Sequence, residues 1–97
     1  MDVRKRVGGT DFIWSDEKAS FNVRKHSVRF EDALAVFEDP LCLLVDASRN
    51  DEGRHALIGF DAFARLLFVV HVQVEMDCIR IISARVATST EEDLYDQ

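Results

Sequence analysis

The chain has 97 residues, 47% of them apolar, with one proline and four glycines, which is enough for one packed domain, too little for two, and unlike the composition of a disordered chain. Its net charge of −6 argues against broad electrostatic attraction to nucleic acid. No apolar run approaches the length of a membrane span and the opening MDVRKRVGGT lacks the apolar centre of a signal peptide, so the expected location is the cytoplasm.

The charge is unevenly spread. Residues 1–30 carry seven Lys and Arg against four Asp and Glu, a balance of +3 that leaves −9 for the remainder. The first third can therefore present a local phosphate-binding surface, while the acidic remainder suits a basic protein partner. The two cysteines, Cys42 and Cys78, form no C-x-x-C and lie in apolar strand-like runs. That favours reduced core thiols over a disulfide or a metal site, and no metal or other cofactor is expected.

Residues 1–10 are polar and end in Gly8-Gly9, which reads as a flexible N-terminal extension to a single domain over 11–97. Phe12-Ile13-Trp14 is a short apolar run expected to enter the fold as an edge strand. Ser15 then suits an N-cap, with Asp16 and Glu17 meeting the positive end of the helix dipole. Helical spacing of Ala19, Val23 and His26 gives a first helix that brings Lys18, Asn22, Lys25 and His26 near one another. A second helix over residues 30–38 carries the stripe Phe30, Ala33, Leu34 and Phe37, and Asp39-Pro40 ends it.

Strands follow over residues 41–46 and 55–60, separated by the polar loop 47–54. Two long apolar runs, 66–74 and 78–86, flank Glu75-Met76-Asp77 and read as an antiparallel hairpin at the centre of the sheet. In the first run Leu66, Phe68, Val70, Val72 and Val74 make an oily face; Leu67, Val69, His71 and Gln73 make one that turns polar. Depending on whether the loop is even or odd, His71 shares its face with Arg80 or with Arg85. Either pairing sets an imidazole and a guanidinium on one face, an arrangement suited to a phosphodiester. The same residues also admit structural roles, His71 in the core and the arginines in ion pairs. Thr88 with Glu91, or Ser89 with Glu92, has capping-box spacing, so a short last helix carries Leu94 and Tyr95.

F-I-W-S-D-E-K-A-S-F-N-V-R-K-H-S-V-R-F-E-D-A, then E-G-R and I-G, and finally I-R-I-I-S-A-R-V-A-T followed by a glutamate and a tyrosine, resemble the BrnT family of bacterial toxins from about Phe12 to Tyr95. The most specific parts are N-x-x-K-H at Asn22 to His26 and I-R-I-I-S-A-R at Ile79 to Arg85. The resemblance implies an α+β, RelE-like fold: an antiparallel sheet of about four to five strands, two N-terminal helices packed on it and a short C-terminal helix. It also implies an RNA-cleaving toxin that inhibits translation. The implied partner is a BrnA-type ribbon-helix-helix antitoxin, through which alone the toxin would meet operator DNA. The family's charged motif residues fall on Lys25, His26, Glu52, Arg54, Arg80, Arg85, Glu91 and Tyr95. Two positions depart from the family pattern: Ser27 stands where a glycine is usual and Arg29 where a serine is usual.

Cutting RNA without a metal needs a base near the 2′-hydroxyl, cations around the phosphorane and an acid for the leaving 5′-oxygen. Arg80 and Arg85 are the candidates to hold the phosphate with help from Lys25, and His26 or His71 to act as base or acid. Tyr95 is a candidate to stack on a base or donate a proton. Arg54, Lys18 and Asn22 are expected to bind substrate, with Glu52 and Glu91 in support. The alternative is a binding module that docks an antitoxin, with catalysis weak or lost.

Overall fold

The structure, a computed structural model, describes residues 1–48 and 53–97. Six strands form one sheet in the order β1-β2-β6-β5-β4-β3: β1 Asp2–Val7, β2 Thr10–Ser15, β3 Leu43–Asp46, β4 His55–Phe60, β5 Leu66–Glu75 and β6 Cys78–Val86. Helix α1 (Asp16–His26) follows β2, a short α2 (Phe30–Ala33) runs on as a 3-10 helix over Leu34–Glu38, and α3 (Ser89–Tyr95) ends the chain.

The expected meander is present from β3 to β6, but the sheet has six strands, not four to five, and is not wholly antiparallel. β2 lies between β1 and β6 and runs parallel to β6, with Ile13 opposite Arg80. Residues 1–10, expected to be a flexible extension, instead form a hairpin with β2. Gly8 and Gly9 adopt φ of +56° and +84°, the positive values that a two-residue turn between twisted strands needs. Val3 opposes Trp14 across that pair and packs, with Val7, against the core. β2 is therefore an inner strand with its outer edge covered.

The α1–α2 segment and the 3-10 helix cover one face of the sheet. Phe12, Trp14, Leu57, Leu67, Val69, Ile81 and Ala84 meet Val28, Phe30, Ala33, Leu34 and Val36 in a single core. Trp14 meets the edge of Phe30 at 6.0 Å and Phe12 that of Phe37 at 4.9 Å. Ser15 caps α1 by accepting from the Lys18 amide, and Thr88 with Glu91 forms the complete capping box of α3. Asp39, before Pro40, is in extended conformation and ends the 3-10 helix, as the proline requires. Ser27, at the position where the family usually has glycine, adopts φ +58° to close α1, and Arg29 makes no side-chain cap for α2.

The faces of the central hairpin are the reverse of the expectation. Leu67, Val69 and His71 lie beneath the helices, while Phe68, Val70 and Val72 stay half-exposed on the opposite, open face. Two bulges explain why loop parity fails. The turn is the even pair Met76-Asp77, but Val74 is left unpaired, so that His71 comes opposite Ile81. Val70 then pairs with Ser83, leaving Ile82 unpaired on β6. The alternation restarts from there, and Ala84 turns inward and Arg85 outward. Neither Arg80 nor Arg85 shares a face with His71.

Candidate nucleic-acid site

Beyond the Ile13–Arg80 pair, β2 makes no further bridge to β6, and α1 takes over that edge. The Asn22 carboxamide does what a neighbouring strand would: its Nδ2 donates to the carbonyls of Ala84 (2.8 Å) and Val28 (2.9 Å), and its Oδ1 accepts from the Ala84 amide (3.1 Å). Asn22 is 4% exposed and committed to backbone on both sides, so it positions α1 and is not open to a substrate, correcting the substrate-binding expectation.

Docked in this way, α1 and the β6 bulge enclose a hollow of about 310 Å³ lined by Lys18, Phe21, Asn22, Lys25, His26, Ile82 and Ser83. Ile82 and Ser83 also line a second hollow of about 450 Å³ on the open face, with Arg54, Arg85, Phe68 and Val70. The two hollows thus meet at the bulge, with cations on both sides. Burial, followed by the charges of Lys25 and Arg85, holds His26 below the ordinary imidazole value, so its neutral form is favoured.

Arg85 is fixed in place. Its guanidinium makes two 2.8 Å bonds to the Glu91 carboxylate and lies 4.4 Å over the Phe68 ring. These bonds raise the Arg85 pKa further and, with the Thr88 contacts, lower that of Glu91. Glu91 also accepts from the Thr88 amide, so one carboxylate both caps α3 and bonds Arg85.

The other candidates are placed elsewhere. Arg80 lines neither hollow and bonds Asp2 of β1 at 3.0 Å, so the two strand arginines do not grip one phosphate together. His71 is 7% exposed, edge-on to Phe37 at 5.1 Å, with Nδ1 3.2 Å from the Val69 carbonyl. Burial depresses its pKa, the Val69 carbonyl opposes this and the charge of His55 adds to it; it is a core histidine. Tyr95 donates to Asp39 Oδ2 at 2.8 Å, packs against Phe60 and lines neither hollow. The Asp39 bond raises the Tyr95 pKa; for Asp39 itself, burial is outweighed by bonds from the Phe60 and Leu41 amides and the Tyr95 hydroxyl, and its pKa falls. Glu52 lies outside the described residues. Both cysteines are free thiols, and among the described residues no group of three or more His, Cys, Asp or Glu side chains is placed to hold a metal ion.

The motif N-x-x-K-H therefore brings Lys25 and His26 to the same hollow as the bulge in the second motif. A family described as "Ribonuclease toxin, BrnT, of type II toxin-antitoxin system" matches residues 14–91. The chain belongs to this BrnT family of ribonuclease toxins. The fold agrees: the crystal structure of the Brucella abortus ribonuclease toxin, BrnT, superposes with a TM-score of 0.65 at 22% identity, over 78% of this chain and 94% of that one. Among curated proteins none matches the chain. As a BrnT-family toxin it has an antitoxin partner by kind. The family match begins at Trp14, so β1 lies outside it, and with it Asp2, the carboxylate that holds Arg80. None of the described helices is long and apolar enough to cross a membrane.

The residues that composition and spacing missed are Ile82, Ser83 and Phe21. Ile82 and Ser83 carry no charge and their importance comes from the bulge. Phe21 had a signal, since it sits off the apolar stripe between Lys18 and Lys25.

Proposed function

We propose that this BrnT-family chain is a metal-independent, RelE-like endoribonuclease of the cytoplasm that inhibits translation and is neutralised by a BrnA-type ribbon-helix-helix antitoxin, meeting operator DNA only through it. The observation that carries this reading is the shared wall of the two hollows, which sets His26 and Lys25 on one side of Ile82-Ser83 and Arg85 and Arg54 on the other. An RNA strand crossing that wall has its phosphate between guanidinium and ammonium groups. Neutral His26 takes the proton of the 2′-hydroxyl as its oxygen attacks phosphorus. The bond to the 5′-oxygen breaks, that oxygen takes a proton from solvent water, His26 returns its proton to solvent, and a 2′,3′-cyclic phosphate and a 5′-hydroxyl result. Arg85 and Arg54 carry the charge on the phosphorane, Lys25 and Lys18 the flanking phosphate. Arg80, His71 and Tyr95 act structurally in this scheme.

Expression without an antitoxin slows growth if this is right, and purified protein cuts RNA in the presence of a chelator. Arg54→Ala combined with Arg85→Ala abolishes both effects. One observation favours a second reading, a docking module with catalysis lost: Arg80 and Arg85 each already hold a carboxylate, in a chain of net charge −6. A wild type that leaves growth and RNA untouched while still binding its antitoxin decides for that module.

A further inference from the structure

Phe21 is an aromatic ring on the solvent side of α1, 52% exposed, outside the core, and part of the wall of the α1 hollow. Lys25 Nζ lies 5.8 Å from its centroid, and Lys18 and His26 line the same hollow. The other rings in the molecule are differently placed. The face of Phe68 is taken by the Arg85 guanidinium, Phe60 packs on Tyr95, and Phe63 lies with Arg65 at the β4–β5 turn. A half-exposed ring with one ammonium over it and further basic side chains along the same hollow is a combination on which unpaired nucleic acid is held, because every base has a face to stack and every nucleotide a charge to neutralise.

The geometry points to the α1 hollow as a nucleobase subsite: an unpaired base stacks on Phe21, its phosphate lies by Lys18 and Lys25, and the strand continues over Ile82-Ser83 towards Arg85 and Arg54. This rests on the nuclease reading for its direction and deepens it by naming the substrate class, single-stranded RNA. A paired base is already stacked on both sides and cannot enter. Because stacking tolerates any base, the subsite selects for unpaired strand over duplex, not for sequence.

The test uses a short single-stranded RNA with 2′-O-methyl groups, which binds but is not cut, the same strand with one base removed, a duplex, and inorganic tripolyphosphate. In Phe21→Trp the indole emission is quenched by the intact single strand and not by duplex or tripolyphosphate; the native Trp14, 1% exposed, gives a silent background. Phe21→Leu keeps the melting temperature, weakens single-strand binding roughly 5- to 50-fold, and raises KM on cleavable RNA by a similar factor with kcat held. Loss of one base from the probe removes the difference between wild type and Phe21→Leu. The subsite is overturned if Phe21→Leu binds and cuts as wild type does, if tripolyphosphate quenches as well as RNA, or if wild type binds no single strand. Wild type that binds the strand through Phe21 yet cuts nothing upholds the subsite and overturns the nuclease reading.

Discussion

The cations of α1 and those of β6 are held in opposite ways. On β6, Arg80 and Arg85 are each bonded to a carboxylate, and Arg85 is further clamped over an aromatic ring. On α1, among the described residues, Lys18, Lys25 and His26 have no carboxylate within ion-pair distance. A guanidinium fixed by a carboxylate is aimed well but half neutralised. An ammonium on a free stem keeps its charge and pays in side-chain entropy when it binds. The lesson is that sign of charge in a sequence does not rank cations; the strand arginines supply geometry and the helix supplies the uncompensated charge.

His26→Ala breaks the comparison most severely. Loss of a general base lowers kcat on RNA by roughly 10²- to 10⁴-fold, with melting temperature unchanged because His26 is not in the core. A quenched-flow or gel assay measures it, and activity within a factor of three of wild type assigns the base elsewhere. Asn22→Ala comes next. It leaves the Ala84 amide and carbonyl and the Val28 carbonyl without their bonds and frees α1 from the strand edge, at a cost of about 2–4 kcal/mol by urea denaturation. Glu91→Gln keeps a capping side chain but releases Arg85 from its ion pair, for about 1–2 kcal/mol.

That third variant carries a pH signature. Glu91 has its carboxyl lowered in the folded state, so its contribution is present above the unfolded carboxyl value and is lost as pH falls through the lowered folded one. Glu91→Gln therefore shows a shallower acid limb of stability against pH than wild type.

These effects separate what the sequence shows from what it hides. Capping residues act within one turn, so Ser15 and the Thr88–Glu91 box locate their helices directly. The hydrophobic run 55–60 likewise marks β4 with no help from distant residues. The first strand was also legible in principle, since Val3 and Val7, four apart, fall on one face of a strand that ends at Gly8-Gly9. Face assignment on the hairpin was not. Alternation on β5 points the wrong way, because the face that ends in His71 and Gln73 is the one whose Leu67, Val69 and His71 are buried, and the two unpaired residues that decide the register, Val74 and Ile82, look like ordinary strand residues. At the site, helix spacing alone brings Lys18, Lys25 and His26 together, whereas Arg85 joins them only because Asn22 fastens α1 beside the bulge.

Two smaller changes sharpen the contrast. Ser27→Gly relieves a left-handed backbone angle at the end of α1 and stabilises the fold by about 0.5–1 kcal/mol, seen as a raised urea midpoint with unchanged slope. A lower midpoint would show that the Ser27 side chain contributes more than its strain. Lys25→Gln gives the smallest effect. Removing a neighbouring positive charge favours the imidazolium, so the His26 titration followed by NMR moves to higher pH. No movement would place Lys25 too far away to tune it.

Ile82 has the character of an insertion. Without it, Ile81, Ser83, Ala84 and Arg85 would still alternate between helix side and open side, since its neighbours pair with consecutive residues of β5. A chain lacking this residue keeps its layering and most of its core, yet loses the local bend and the divider between the hollows. Length at this point, rather than side-chain identity, is then the variable through which such a scaffold can gain or lose a binding groove while remaining folded.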